Sequence, residues 1–476
     1  MSNNEKKQSK ANKGRQNKSR KGMCLDDRPI LEKNAAGVDV GAREMFVAVP
    51  PDRDAHPVQV FDTFTEDLHR LVDWLVACGV TTVAMESTGV YWIPLYDVLE
   101  QRGLKPCLVN ARHMKNVPGR RTDWHECQWL QYLHSVGLLR NAFRPEAEVC
   151  AVRVLIRHRD ELVQIASQHV QHMHKALTQM NLQIHHVISD ITGMTGLNIV
   201  DAILAGQRDA AELAKLRDAR VKADEETIRK SLVGNWRHEH LFTLKQSREL
   251  YRTYQQQVVG CDQEIELLLG SFQPWVDPSR KPLPPDRKRN RSGKKRRKKN
   301  GHVETGFDLR TEAYKLFGVD VTQIPGVETI ALPLFSEVGR GLSKWSTARH
   351  FASWLALCPD NDISGGRVLW KAVRKVKNRA GQLFRLAAHS LHRSLTPLGN
   401  YLRRMKAKLG PAAATTATAH KIATIFYTLV RNQVEYDEAI WAQQDAHRDK
   451  RLEAKLRRQA QQRGYKLVPL EDNAAA

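Results

Sequence analysis

Residues 37–41 read Gly37-Val38-Asp39-Val40-Gly41, a short apolar run with a carboxylate set inside it. Such a run reads as a strand, and the strand holds its acid at a fixed place in a sheet. Working outward, Met45–Val49 is a second strand, and Pro50-Pro51-Asp52 makes a turn toward a third around Val58–Phe61. Leu68–Val76 has helical spacing, Thr81–Met85 is a strand of buried type, Trp92–Leu99 is a helix, and Pro106–Val109 is a strand again. Three strands followed by alternating helices and strands predict a mixed sheet covered by helices.

Length and order over residues 35–145 fit an RNase H-like α/β domain. Asp39 lies within the first strand, and Glu86 directly follows the apolar Thr82-Val83-Ala84-Met85. Neighbouring strands of such a sheet would bring the two acids to one point. Asp123 and Glu126 are three apart, so on a helix they share one face. Converging carboxylates repel one another unless a cation sits between them. Hard oxygen ligands without thiol or imidazole select Mg²⁺ or Mn²⁺ over zinc, and paired ions of this kind serve phosphodiester displacement. Each acid also has a structural reading. Asp39 before Gly41 suits a turn, Glu86 before Ser87-Thr88-Gly89 suits a helix cap, and Asp123 with Glu126 suits a solvated helix face. Taken together, in this order and on these elements, the metal site is the better reading.

From about 146 to 280 the pattern becomes helical. Leu155, Leu162, Ala166, His169, Met173, Ala176 and Met180 step mostly by three and four. Tyr251, Tyr254, Val258, Cys261, Ile265 and Leu268 do the same, which predicts the seam of a coiled coil or a long helical hairpin. Gly193–Gly196 and the polar stretch Asp201–Arg208 fall between the arms. His169, His172 and His174 read as surface or seam histidines, since no carboxylate or thiol stands at a matching offset.

The chain has 476 residues with 75 Lys+Arg against 52 Asp+Glu, a formal charge of +23. A surplus of that size points to polyanionic partners. No run approaches the roughly 18 apolar residues of a spanning helix, and no signal peptide opens the chain, so membrane is excluded in favour of nucleic acid. Residues 1–34 form a basic tail, with eight Lys/Arg and one Glu in the first 23. The seven cysteines include no C-x-x-C pair, which predicts reduced thiols in a cytoplasmic protein. A basic linker over 281–305 carries ten basic residues in the thirteen from Arg287 to Lys299, among them Lys288, Arg289, Lys294, Lys295, Arg296 and Arg297. Phosphate contact is the expectation for it. Residues 306–440 begin a new, mainly helical unit in which Ile324-Pro325-Gly326-Val327 has the look of a helix-hairpin-helix motif meeting phosphate. Residues 441–476 are a charged tail.

Asp362-Ile363-Ser364-Gly365-Gly366-Arg367 sets Ser364 in a glycine-flanked loop where backbone can approach a ligand closely. Arg367, Lys371, Arg374, Lys375, Lys377 and Arg379 follow, suited to holding phosphates. A hydroxyl so placed can attack phosphorus and form a phosphoserine. The structural alternative is a turn serine that caps the next element.

Five segments in order, Gly37-Val-Asp-Val-Gly, Met85-Glu-Ser-Thr-Gly, Arg121-Thr-Asp-Trp-His-Glu, Ile324-Pro-Gly-Val and Ser364-Gly-Gly, resemble the DEDD insertion-sequence transposases of family one-ten. His350-Phe-Ala-Ser-Trp-Leu-Ala-Leu-Cys-Pro, Asn378-Arg-Ala-Gly and Arg385-Leu-Ala-Ala extend the likeness, which runs from about 35 to about 440. The resemblance implies a RuvC-like nuclease domain, a coiled-coil dimerisation arm and a C-terminal transposase domain. It implies that Asp39, Glu86, Asp123 and Glu126 hold Mg²⁺ and that Ser364 becomes joined to a DNA 5′ phosphate. It further implies a homo-oligomer, dimer or tetramer, acting on donor and target DNA in the bacterial cytoplasm, at the nucleoid, and guided by a structured bridge RNA. The fourth acid of the family is typically Asp, and here it is Glu126. Two rival readings use less of the chain: a Holliday-junction-type metal nuclease, and a non-enzymatic nucleic-acid-binding protein.

Overall fold

A computed structural model describes residues 28–110, 123–286, 305–365, 367–370 and 378–466. The chain divides at Arg144/Pro145 into two compact units.

In the first unit the strands are β1 (Ala35–Val40), β2 (Glu44–Ala48) and β3 (Val58–Asp62), followed by α1 (Thr65–Ala77), β4 (Thr82–Glu86), α2 (Trp92–Gln101), β5 (Lys105–Val109) and α3 (Asp123–Ser135). The sheet order is β3-β2-β1-β4-β5. The two hairpin pairings are antiparallel, while β1–β4 and β4–β5 are parallel, so the mixed sheet expected from the sequence is present. Side chains alternate across each strand. Val38 and Val40 of β1 and Val83 and Met85 of β4 point into a core closed by Leu71 and Leu75 of α1 and Leu95 and Leu99 of α2. The buried residues of α1, Leu68, Leu71, Val72 and Leu75, recur at helical spacing, which is why that segment packs as a helix. Each fully buried Leu contributes about 1.5–3 kcal/mol. Helix α3 covers the other face of the sheet, where Cys127 packs beside Ala48 and Val58.

The second unit opens with the long helix α4 (Ala147–Gln179). It continues through α5 (Ile184–Val187), α6 (Met194–Leu204), α7 (Ala210–Ala214) and α8 (Glu225–Ser231) to a second long helix, α9 (His238–Ser271). Arg159 pairs with Asp262, and His169 stacks on Tyr254, so α4 and α9 run antiparallel. The buried seam differs from the expected one at several positions. Ile156, Asp262 and Leu269 are buried, whereas Leu155, Cys261 and Leu268 are only half-buried. A straight helix has 3.6 residues per turn, so a stripe written with period 3.5 drifts by one position over such a length. The seam then admits an acid, Asp262, because Arg159 meets it at 2.5 Å and 3.2 Å. The stretch between the arms is more than a connection. Helix α6 spans most of it, and Ile199, Val200 and Ile203 join Ile184, Leu213, Ile228 and Leu244 in a separate apolar cluster.

The rest is α10 (Leu309–Phe317), α11 (Ala331–Val338), α12 (Ala348–Trp354), the strands β6 (Asp362–Ser364) and β7 (Arg367–Trp370), α13 (Arg379–Ser390), α14 (Pro397–Leu409), α15 (Pro411–Asn432) and α16 (Glu438–Gln462). Its core is aromatic. Phe317 and Phe426 meet edge to face at 5.2 Å, and Phe384 meets Phe426 at 5.6 Å. Among the described residues no helix is long and apolar enough to cross a membrane.

Candidate active site

Register places the first two acids. Val38 of β1 stands opposite Met85 of β4. Asp39 and Glu86 are the next positions on these two parallel strands, each directly after the last paired residue. Because Val38 and Met85 face the α1–α2 core, Asp39 and Glu86 project from the opposite face. Both are half-buried. The Thr88 hydroxyl donates to Glu86 Oε1 at 2.8 Å, tying the acid to the loop that follows β4.

Helix α3 lies on that same face, and Gly37 explains how closely. A Cβ at position 37 would stand 2.2 Å from the Gln131 nitrogen and 2.4 Å from the Cys127 carbonyl oxygen. Only glycine lets the helix backbone rest on the strand here. Asp123 and Glu126 fall in the first turn of α3, where the partial positive charge of the helix end favours acids. Burial pushes the Cys127 thiol up to about 12, and the carboxylates of Asp39 and Asp123 act in the same direction. One side chain thus senses acids from both β1 and α3.

The donors have the chemistry of a hard-cation site. Their coordination sphere is not gathered, however: among the described residues no group of three or more His, Cys, Asp or Glu is close enough to hold a metal ion. Asp123 is the first described residue after 111–122, and Arg121 and Thr122 of the sequence motif lie outside the described residues.

Ser364 is the last residue of β6 and pairs with Arg367 of β7. It ends a strand, and the glycine turn follows it. Gly365, which follows Ser364, has φ +57°, in the left-handed region that favours glycine. The hairpin carries a register shift near Asp362/Ile363, so that Ile363 faces Val368 and Asp362 faces Trp370. Ser364 and Arg367 are both exposed. Burial raises the Asp160 carboxyl, and Arg379, which begins α13 and is also exposed, opposes that shift only in part. The expected phosphate ligands Lys371, Arg374, Lys375 and Lys377 lie outside the described residues, as do Arg287, Lys288, Arg289, Lys294, Lys295, Arg296 and Arg297 and the N-terminal basic tail to residue 27.

Other sequence motifs turn out to be scaffolding. Asn378 caps α13 by accepting from Gly381 N at 2.9 Å, and its amide donates to the Trp354 carbonyl at 2.9 Å. Gly381 packs so near Leu355 that a Cβ would lie 2.2 Å from its carbonyl oxygen. Arg385 donates to the Ala356 carbonyl at 2.8 Å. The Ile324-Pro-Gly-Val turn, expected to meet phosphate, is largely buried, and a Cβ on Gly326 would stand 2.6 Å from the Ala387 carbonyl oxygen. That glycine serves packing against α13. Sequence reasoning missed Gly37, although a glycine inside a strand pattern signals close backbone approach.

A model of the DEDD transposase of IS110 type matches residues 36–182. A second, described as transposase of the IS116/IS110/IS902 family, matches residues 320–402. No curated protein matches the chain.

Proposed function

We propose that this IS110-family transposase, identified as such by its two family matches, cuts and rejoins DNA with acids of its first unit and a serine of its second. The observation that carries the reading is the Val38–Met85 register, which aligns Asp39 and Glu86 on the face that α3 covers with Asp123. Asp39, Glu86 and Asp123 would hold a divalent cation, Mg²⁺ or Mn²⁺, with Glu126 as a fourth donor. When bound, such an ion lowers the cost of charge developing on the phosphodiester oxygens.

Ser364 is the nucleophile in this reading. Its Oγ attacks the phosphorus, the bond from phosphorus to the 3′ oxygen breaks, and the 3′ hydroxyl leaves with a proton. The phosphorus is then esterified to serine on the 5′ side. Attack by a second 3′ hydroxyl reverses the sequence, joins the new strands and returns the proton to serine, so that no bond energy is lost to water. Ser364 ends a strand beside a tight turn, which holds its hydroxyl at the surface where a DNA strand can reach it. Arg367, across the hairpin, would bind the phosphate oxygens. Bound guide RNA would choose donor and target DNA, and a homo-oligomer would bring acids and serine from different protomers together.

Donor-plasmid recombination tests this directly. Asp39→Asn and Ser364→Ala should each abolish it while DNA binding persists. A denaturing gel should show protein covalently attached to a DNA 5′ end in the parent chain and none in Ser364→Ala. If Ser364→Ala still cuts in Mg²⁺ and releases free 5′ phosphate, the chain is a hydrolytic nuclease. If Asp39→Asn recombines normally, the carboxylate site is wrong.

A further inference from the structure

We propose that the C-terminal half of α16 binds the phosphate backbone of duplex DNA. This stretch lies outside both family-matched segments, 36–182 and 320–402. Between Lys450 and Lys466 stand seven Lys/Arg and one acid, Glu453. The cationic side chains of this stretch are all exposed. Arg457 is engaged by Glu453 at 2.6 Å. Among the described residues no acid pairs with Lys450, Arg451, Lys455, Arg458, Arg463 or Lys466.

Helical geometry gathers these cations. Arg451, Lys455 and Arg458 stand at i, i+4 and i+7 and line one face, with Lys450 and Arg457 forming the adjacent row. Like charges four apart weaken an isolated helix, and most helices offset such costs by burying an apolar stripe. Here Leu456 is itself 44% exposed, and Leu452 and Leu456 are the only large apolar residues between Lys450 and Gln462. A binding partner with regularly spaced negative charge supplies what packing does not.

The chemistry narrows the partner. A helix that lies on a lipid surface needs an apolar face opposite its cations, and here that side holds only two leucines, Leu452 and Leu456, with the acid Glu453 among them. Phosphodiester backbone remains. The family matches make DNA the substrate, and this inference rests on the proposed function for that point alone. The thirteen residues from Lys450 to Gln462 rise about 20 Å, the length of roughly six base pairs. Long, flexible side chains over that span favour phosphate contact without base reading.

The test uses the full chain and fluorescence anisotropy with a 30-base-pair DNA duplex and an RNA duplex of equal length, across a range of KCl concentrations. Arg451→Gln/Lys455→Gln/Arg458→Gln should lower DNA affinity about tenfold or more near 0.1 M salt. The slope of log K against log salt should shrink by about 2 to 3, close to 0.9 per lost contact. Arg451→Lys/Arg458→Lys should bind like the parent, and the far-ultraviolet circular dichroism and Tm of both variants should be unchanged. An unaltered slope and affinity in the triple variant, or a loss confined to RNA, overturns the proposal. Loss of recombination in Asp39→Asn or Ser364→Ala reports on the cutting chemistry, whereas the salt slope of the α16 variant reports on the helix, so the two failures are told apart.

Discussion

Gly37 is pressed against Cys127 so closely that a Cβ on the glycine would stand 2.4 Å from the cysteine's carbonyl oxygen. This contact sets the height of α3 above the sheet, and with it the position of Asp123 relative to Asp39. Gly37→Ala must push the helix away or bend the strand. Overpacking of this kind costs about 1–3 kcal/mol, and here the displaced element carries acids. The urea midpoint should fall accordingly, and recombination should fall further than the remaining folded fraction explains. A Gly37→Ala chain with parental stability would show that α3 does not rest on β1.

Arg159 and Asp262 make the second testable contact. Asp262 is buried in the seam of α4 and α9, and it also accepts from Gly306 N at 3.2 Å. Removing one member of a buried ion pair strands the other, at a cost of about 3–5 kcal/mol, whereas replacing both with apolar residues is often neutral. Arg159→Met should therefore lower the unfolding free energy strongly, and Arg159→Met/Asp262→Leu should recover most of the loss. Thermal melts of the parent, the singles and the double close the cycle. Additive losses would mean that the pair is not coupled.

These two contacts also mark where sequence reasoning stopped. The strands around Asp39 and Glu86 were legible because apolar runs bounded by turns have few alternatives. The sequence cannot state the register that brings the two acids onto neighbouring strands, because it depends on pairing between residues 47 positions apart. The seam of the arm was legible as a stripe, but its drift onto Asp262 was not. An acid reads as surface until its partner, 103 positions away in sequence, is known. Gly326, in a turn expected to meet phosphate, instead makes room for a neighbouring carbonyl, and so does Gly381 of the Asn378-Arg-Ala-Gly segment. The basic helix α16 reads as a tail because it has no apolar period.

Titration of His134 offers a pH-dependent prediction for the first unit. The Thr82 hydroxyl donates to the Lys105 carbonyl at 2.9 Å, so its oxygen accepts from His134 Nε2, 2.8 Å away. That arrangement needs a proton on Nε2, which the neutral ring carries in its Nε2–H tautomer and the cation carries as well. Burial, only partly opposed by the charge of Glu32, holds the His134 pKa below its ordinary 6.5. With the folded value below the unfolded one, the unfolded chain takes up the proton first as pH drops. The stabilising contribution is therefore complete well above pH 6.5 and is lost as pH falls through that value toward the folded pKa. His134→Gln should flatten the dependence of the urea midpoint on pH between 7 and 5. His169, His174, His185 and His420 of the second unit are lowered in the same direction, also first by burial, so some slope will remain. Identical slopes in parent and variant would remove His134 from the account.

Divalent cations give the last prediction, and it follows from an incomplete assembly. Asp39 and Glu86 are aligned by the sheet, yet among the described residues no third ligand stands close enough to complete a metal site. If Asp123 and Glu126 supply the remaining oxygens, binding must draw the first turn of α3 toward the strand ends. The folded chain then gains stability by mass action, about 2.7 kcal/mol at a hundredfold excess over Kd. Titrating Mn²⁺ or Mg²⁺ into the protein without nucleic acid should raise the Tm, and EDTA should reverse the rise. Asp39→Asn should abolish the shift and Asp123→Asn should reduce it. Glu126→Gln should have a smaller effect, and Glu126→Asp should retain the shift. Because the readout is thermal, it does not depend on DNA, RNA or turnover. A shift of equal size in Asp39→Asn would place the cation elsewhere and leave the aligned pair without its proposed role.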